Sequence, residues 1–429
     1  MLTLDISSED RVERSTIGIL EELTAGYPHI DFAVRLWDGT QWGNLDNPDF
    51  TLVLNHPGAL RNMFMSPNEL TLGEAYVKED FDIEGDIQNV FKFGYFLLDR
   101  HFTVSDKLRL QALLRKLPKG THVQTGQHAA ELDGTLHSQE RDRRAISHHY
   151  DISNDFYKLW LDQRMVYSCA YFLSPEDSLD QAQVQKLDYI CKKLRLKKGE
   201  TFLDLGCGWG GLVMHAAKNY GVRALGITNS VQQAELAQER IRQAGLTDLC
   251  EVQIIDYRAL DKDRQFDKIA SVGMFEHVGE ALLPEYFQRA WDHLRPGGVF
   301  LNHGIASSVI TKRKGPSFID KYVFPDGDLV SLSTSLGVAE ASGFEVRDVE
   351  SLREHYEMTL RHWVQRLQEK SDEGRKIAGE SIYRVWRLYM SGSARAFAIG
   401  RVNVYQVLLS RPDHGVSGLP LTREDWIIR

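Results

Sequence analysis

Cysteine is scarce in this chain, four in 429 residues. Cys169, Cys191, Cys207 and Cys250 form no close pair. That spacing excludes a cysteine-built metal site and argues against a disulfide framework, so a reducing cytoplasm is the expected compartment and no metal is expected. No apolar run approaches the ~18 residues a membrane span requires. The first residues, Met1-Leu-Thr-Leu-Asp-Ile-Ser-Ser-Glu-Asp10, lack a basic region followed by an apolar core, so no signal peptide is expected. Positive charge is not in excess either. With 51 Lys and Arg against 60 Asp and Glu, the net charge is −9, and there is no global basic field for nucleic acid. Two local basic clusters remain, Lys107-Leu-Arg109 with Arg115-Lys116 and Lys119, and Lys312-Arg-Lys314. They read as solvated surface or as contacts for an anionic membrane. No internal repeat is present.

What is present suffices for two domains with proper cores, since 42% of the residues are hydrophobic. Residues 1–115 read as an α+β module. Ile30-Asp-Phe-Ala-Val-Arg-Leu-Trp37 alternates like a strand, Asp38-Gly39 signals a hairpin turn, and Thr40-Gln-Trp42 can return. Phe50 to Leu54 is a further strand, Pro57 to Phe64 starts a helix, and the apolar stretch Val90 to Leu98 is helical. Residues 116–144 are polar and without apolar period, and read as a mobile linker. Over 145–429 strand and helix signals alternate, with strands expected at 201–205, 222–227, 250–255, 267–272 and 298–304. Such alternation predicts an α/β fold, a doubly wound parallel sheet of Rossmann-like kind, beside the smaller N-terminal α+β domain. The tail 355–411 reads as mostly helical, with Tyr383, Trp386 and Tyr389 as a core stripe.

The densest signal is Asp204-Leu-Gly-Cys-Gly-Trp-Gly-Gly211, set between a buried strand and the helix start Leu212-Val-Met-His-Ala-Ala217. Glycines at such a turn let the backbone approach a ligand. Gly206-x-Gly208-x-x-Gly211 also fits a dinucleotide fingerprint. A dinucleotide site wants an acid about 20 positions on, for the ribose. Here the second strand ends in Thr228-Asn-Ser230, and no acid follows before Glu235. The opening acid, Asp204, precedes the glycines, an arrangement that looks like an S-adenosylmethionine (SAM) methyltransferase. Ligands of open α/β sheets sit beyond the carboxyl ends of the strands. That rule gathers Gly206 to Gly210, Thr228, Asp256-Tyr257, Phe275-Glu-His277 and His303 at one rim.

Five ordered motifs add a resemblance: His148-His-Tyr-Asp-Ile-Ser-Asn-Asp-Phe156, Tyr167-Ser-Cys-Ala-Tyr171, Asp204 to Gly210, Gly273-Met-Phe-Glu-His-Val-Gly279 and Lys321-Tyr-Val-Phe-Pro325. Together they resemble the cyclopropane-fatty-acyl-phospholipid synthase family over about 145 to 411. The N-terminal block is similar, more weakly, to the small lipid-associated domain of bacterial members. The resemblance implies methyl transfer from SAM to the cis double bond of an unsaturated phospholipid acyl chain, then proton loss and ring closure, with bound bicarbonate as base. It implies that Cys169 lies beside that ion, Glu276 accepts its proton and orients it, His303 and the Ile305 N–H donate to it, and Tyr356 completes the cage. For SAM it implies Gly206, Gly208 and Gly210 along the methionine and ribose, with Asp204 opening the motif. Thr228 and Gln233 are implied as polar contacts, Asp256 and Tyr257 at the adenine, and Tyr167 and Ser168 at the methionine end. Phe275, Tyr322 and Phe324 are candidates for the acyl wall. Ser393 stands where some bacterial members carry cysteine. A homodimer at the inner membrane surface is also implied. The chemistry has demands of its own: a poor alkene nucleophile needs the methyl held in line, and the pocket must be dry.

Each residue has a plainer reading. Cys169 reads as a small buried hydrophobe, Glu276 as a structural cap with His277 as the functional partner in its place, and His303 as a satisfied core histidine. Tyr356 reads as a packed phenol, and the glycines as tight helix–strand packing. Three other functions stay open: a mid-chain fatty acyl methyltransferase leaving an open branch, a small-amine N-methyltransferase, and an inactive lipid or SAM binder.

Overall fold

The computed structural model describes residues 8–120, 134–135, 138–142, 144, 152–307 and 317–426. His148 to Asp151, Lys312 to Lys314 and most of the expected linker lie outside the described residues. The chain divides into two units, and the division is not the expected one. The first unit takes Met1–Ala129 together with Gly315–Tyr322 and Gly379–Arg395, segments expected in the second. The reason is polar as well as apolar. The buried Arg384 guanidinium donates to the carbonyls of Tyr76 and Phe81, each at 3.2 Å, and to Asp82 at 2.7 Å. Arg387 donates to the Tyr76 hydroxyl at 2.7 Å and to the Ile83 carbonyl at 3.0 Å. Lys321 pairs with Glu74 at 2.6 Å. Buried charges need such partners, and here they come from a distant part of the chain.

The first unit contains a four-stranded sheet in the order β2-β1-β3-β4, with β1 Ala33–Arg35, β2 Gln41–Gly43, β3 Phe50–Leu54 and β4 Phe81–Gly85. The hairpin β1–β2 turns at Asp38-Gly39 as its sequence requires, and β3 pairs parallel to β1. Phe32 stacks on Phe50 at 5.0 Å, and Phe93 of the helix Ile87–Asp99 closes over Phe32 at 4.9 Å. Tyr383, Trp386 and Tyr389 are buried, as a core stripe should be.

The second unit is built on β5 Thr201–Leu205, β6 Arg223–Thr228, β7 Cys250–Ile254, β8 Phe266–Val272 and β9 Leu294–Ser307. These five strands are parallel, in the order β9-β8-β5-β6-β7. In β5, β6, β8 and β9 the residues divide alternately between two cores, whereas the edge strand β7 buries one face only. Phe202, Ala224, Ala270 and Leu301 enter one, and their neighbours Leu203, Leu225, Ile269 and Phe300 the other. A period of two with both faces apolar makes a central sheet covered by helices on each side. From β5 the chain steps out to β6 and β7, then returns to β8 on the other side. The crevice of a doubly wound sheet opens at that reversal. Two strands were not expected. Val402–Ser410, in the tail read as helical, is β11 and runs antiparallel to β9, and Glu345–Ser351 is β10, antiparallel to β11. Alternation in Val402-Asn-Val-Tyr-Gln-Val-Leu is the strand signal that decides the first case. Among the described residues no helix is long and apolar enough to cross a membrane.

Candidate active site

The turn after β5 is shaped by its glycines. Gly206, Gly208 and Gly210 have φ of 77°, 54° and 77°. At Gly206 a side chain would be strained and would also lie 2.9 Å from Met274. On β6 beneath the turn, a Cβ at Gly226 would stand 2.7 Å from Cys207. The turn is thus pressed onto the sheet, and a cleft opens above it. Asp204, Gly206, Gly208, Thr228 and Gln233 line this cleft, and so do Asp256, Tyr257, Tyr167 and Ser168. Gly210 does not. It precedes the helix Gly211–Tyr220, and a Cβ added there would stand 3.2 Å from the Ala237 side chain, so its role is the plainer one.

Polar partners divide the cleft into two ends. At one end Thr228 Oγ1 donates to Gln233 Oε1 at 2.8 Å. Asp256 is gripped by Arg258, with Nε–Oδ1 at 2.8 Å and Nη2–Oδ2 at 2.7 Å, and accepts from Asn229 at 3.2 Å. Burial pushes the Asp256 carboxyl up, but Arg258 prevails and holds it below the usual range. The neighbouring Tyr257 phenol has its oxygen buried without a partner, and burial pushes it up. At the other end Asp204 is buried and pushed up to about 7 by desolvation, with Lys186 pulling it down. Its Oδ1 has no partner. Lys186, buried and pulled down to about 8, donates to Ser168 Oγ at 2.7 Å. His277, on the turn after β8, also lines the cleft, and burial pulls it down to about 4.

Part of the expected linker belongs to this cleft. Arg141 makes a two-point pair with Asp326, at 2.6 and 2.9 Å, and Asp142 accepts from Arg258 at 2.9 Å. Asp142 and Asp326 both line the cleft. An aperiodic polar stretch carries no apolar anchor, but it can be fastened by charge. Beyond it, Trp209 Nε1 donates to Asn154 Oδ1 at 2.7 Å, tying the seventh residue of the His148 to Phe156 motif to the glycine turn.

The residues expected around an anion fall into two linked sets. In the first, Glu276 Oε1 accepts from the Ile305 N–H at 2.7 Å. The Ile305 amide, expected to face the ion, is therefore engaged by the carboxylate instead; one N–H does not serve both at full strength. Glu276 Oε2 is buried without a partner, and desolvation pushes the carboxyl up to about 7 against the pull of the N–H bonds. Two residues back along β9, His303 Nδ1 lies 3.2 Å from Gln406 Nε2. With the amide nitrogen as donor, as its orientation is assigned, Nδ1 accepts and the ring hydrogen sits on Nε2. That Nε2 is buried without a partner, and burial, with Lys186 adding to it, holds His303 neutral, well below its ordinary value. The second set is Cys169 and Tyr356. Cys169 is fully buried, its thiol lies 3.3 Å from the Ala170 carbonyl and 3.7 Å from that of Leu352, and burial pushes it well up. Tyr356 donates its N–H to the same Leu352 carbonyl at 3.0 Å and packs its ring on Phe397 at 4.7 Å. Lys186 is coupled electrostatically to both sets, through His303 and through Cys169. Of the aromatic candidates, Phe275 is core, against Tyr286 and Phe287, and Phe324 meets His277 edge-on at 5.3 Å. Tyr322 belongs to the first unit, bonded to Glu74 at 3.2 Å.

Sequence reasoning passed over Lys186, Asp142 and Asp326. For Lys186 a signal existed. It falls in the buried stripe Leu179, Ala182, Lys186, Leu187, Ile190 of the helix Leu179–Leu194, where a solvated lysine does not belong.

Comparison with known proteins accords with this geometry. A family model described as mycolic acid cyclopropane synthetase matches residues 137–407, and a domain of unknown function matches 19–105. The chain is 42% identical to a probable fatty acid methyltransferase of Pseudomonas putida, over 92% of this chain and 96% of that one. It is 38% identical to the cyclopropane-fatty-acyl-phospholipid synthase of Escherichia coli (strain K12), over 64% of this chain and 70% of that one. Among solved structures, the cyclopropane synthase MmaA2 from Mycobacterium tuberculosis aligns with a TM-score of 0.60 at 32% identity, covering 64% of this chain and 99% of that one. The mycolic acid cyclopropane synthase CmaA1, solved with S-adenosylhomocysteine (SAH) and CTAB, aligns with a TM-score of 0.59 at 34% identity, covering 62% and 97%. The glycine turn, the rim it shares with Thr228 and Asp256, and a family match over most of the second unit place the chain in the mycolic acid cyclopropane synthetase family of SAM-dependent methyltransferases.

Proposed function

We propose that the protein transfers a methylene from SAM to the cis double bond of unsaturated phospholipid acyl chains, closing a cyclopropane ring, with bound bicarbonate as the base. The observation that carries this reading is a pair of buried, unpartnered atoms of opposite character, Glu276 Oε2 and His303 Nε2. Orphaned polar atoms in a native core call for a ligand. A small anion bearing one hydroxyl answers both, accepting from a neutral His303 and donating to Glu276. Bicarbonate bound there supplies a base for the proton lost when the ring closes. Glu276 orients that base and takes its proton, Ile305 fixes Glu276, and Cys169 and Tyr356 complete the wall. A carboxyl held near 7 accepts and returns a proton at little cost at neutral pH. SAM brings the electrophilic methyl, with its adenine end at Asp256 and Tyr257, its middle at Thr228 and Gln233, and its methionine end at Gly206, Gly208, Tyr167 and Ser168. The first unit meets the membrane surface, in a homodimer. Its helix Ile87–Asp99 supports that role, with Phe91 and Phe96 only half-buried.

A second reading is favoured by the relative at 42% identity, named a probable fatty acid methyltransferase: an open methylated chain, with no ring. A ring and a methylene branch have the same mass, so mass spectrometry does not separate them. Expression in a host without cyclopropane lipids, followed by proton NMR of its phospholipids, does. Ring-proton signals are expected; a methylated product without them overturns the first reading in favour of the second.

A further inference from the structure

Lys186 has no part in the reaction just proposed, yet it is a charged group 1% exposed in the cleft wall. The helix that carries it clamps the loop bearing Tyr167 and Ser168. Gln183 Nε2 donates to the Val166 and Ser168 carbonyls at 3.3 and 2.9 Å, and Lys186 Nζ to Ser168 Oγ at 2.7 Å. An ammonium has donors only, so the Ser168 oxygen accepts, and its own hydroxyl hydrogen is turned elsewhere. Ser168 also lines the cleft.

Among the described residues the charge of Lys186 meets no close counter-charge, and no carboxylate lies within ion-pair distance of Nζ. Asp162 acts on it from further off, and its oxygens already accept the Arg164 and Val166 N–H groups at 2.9 and 2.8 Å. Asp204 acts likewise at a distance and leaves Oδ1 without a partner. Arg258, the other cation of the wall with a fixed charge, is held by Asp256 and Asp142. A buried ammonium with one hydrogen bond and no close counter-charge is costly unless an anion arrives.

SAM carries one carboxylate, at its methionine end. We infer that Lys186 and Ser168 together seat that carboxylate: the Ser168 hydroxyl donates to it, and Lys186 holds the hydroxyl in place and supplies the charge. Lys186 is then a positioning residue for the cofactor, and Ser168 gains a direction for its hydrogen. The inference rests on the reading of this cleft as the SAM site.

Calorimetry with two ligands tests it. SAH has the amino-acid end, whereas 5′-methylthioadenosine keeps the adenosine and the sulfur but lacks that end. In Lys186→Met, SAH affinity should fall by about 10- to 100-fold, the range for a hydrogen bond to a charged group, with 5′-methylthioadenosine affinity unchanged. Ser168→Ala should show the same selectivity in smaller degree, and it decides the matter alone if Lys186→Met does not fold by circular dichroism. Equal weakening of both ligands makes the role structural and overturns the inference; so does undiminished SAH binding. If the unaltered protein binds neither ligand, it is the SAM reading of the cleft that fails, and the inference falls with it.

Discussion

Replacing Glu276 by glutamine should make the protein inactive and, above neutral pH, more stable. The amide oxygen keeps the acceptor for the Ile305 N–H, 2.7 Å away in the native protein, so the turn after β8 retains its shape. What is lost is the charge. Burial holds the carboxyl at about 7 against 4.5 for an ordinary glutamate. At pH 4 the carboxyl is protonated in both folded and unfolded chains, and it contributes no pH-dependent term. Between 4.5 and 7 the unfolded chain has released its proton and the folded one has not, so stability falls as pH rises. Above 7 the folded group ionises too, and the penalty levels off. A difference of about 2.5 pH units corresponds to about 3 kcal/mol, an order-of-magnitude figure. Glutamine carries no such penalty. The difference in apparent Tm, variant minus native, should therefore be near zero at pH 4, grow through pH 5 to 7 and plateau at pH 8. Scans of both proteins in bicarbonate-free buffer measure it, and the subtraction removes terms common to both, that of Asp204 included. On the same preparations, turnover on unsaturated phospholipid vesicles should fall by about 10²- to 10⁴-fold, the usual loss for a group that moves a proton. SAH affinity should hold. A stability difference that is flat with pH, or that favours the native protein at pH 8, would refute a buried carboxyl of raised pKa. Undiminished turnover would remove Glu276 from the chemistry.

Gly304→Ala places a methyl 2.9 Å from the Phe275 ring, beside both His303 and Glu276. Turnover should drop with SAH binding kept, and overpacking should lower stability by about 1–3 kcal/mol in thermal unfolding. Arg141→Ala removes the two-point pair to Asp326 at the cleft; SAH affinity should fall by about fivefold, equivalent to roughly 1 kcal/mol, and calorimetry reads it. Cys169 in the native protein should resist iodoacetamide at pH 8, since its thiol is buried and pushed well up; rapid alkylation, read by mass spectrometry of the peptide, would contradict that environment. Arg384→Ala should destabilise the first unit by about 3 kcal/mol, at the low end for breaking a buried pair because Asp82 is partly exposed. Limited proteolysis around residues 76–83 reports it.

Much of the second unit was legible because β5, β6, β8 and β9 are apolar on both faces, a pattern that only a covered sheet satisfies, and because a glycine turn after a buried strand marks the ligand rim. β10 was not, since Glu345-Val-Arg-Asp-Val-Glu-Ser351 is an edge strand that keeps most of its side chains partly in water and shows little apolar alternation. The rim rule also ordered Glu276 and His303 correctly along the sheet, but it says nothing of which atom takes which partner. That the Ile305 N–H meets Glu276 depends on how the turn at Phe275 folds back on β9, and no local signal encodes it.

The two-unit division was hidden for a related reason, and it changes what a truncation can mean. Tyr383, Trp386 and Tyr389 were readable as core, but not as the core of a module some three hundred residues upstream (Tyr76 to Asp82 in the case of Arg384). Amphipathic spacing shows that a helix has a buried face; it does not show which partner buries it. Deleting residues 1–115 to test membrane docking would strip Arg384 and Arg387 of the Tyr76, Phe81, Asp82 and Ile83 acceptors that satisfy them. Two buried guanidinium groups left without partners would destabilise what remains, whatever the deleted part does on a lipid surface. The docking role of the first unit is separable from its structural role only by changes that leave this network whole. Phe91→Ser and Phe96→Ser on the half-buried helix Ile87–Asp99 are of that kind. They should lower turnover on vesicles while sparing SAH affinity, and equal turnover on vesicles and on detergent-dispersed lipid in both proteins would argue that the helix serves packing alone.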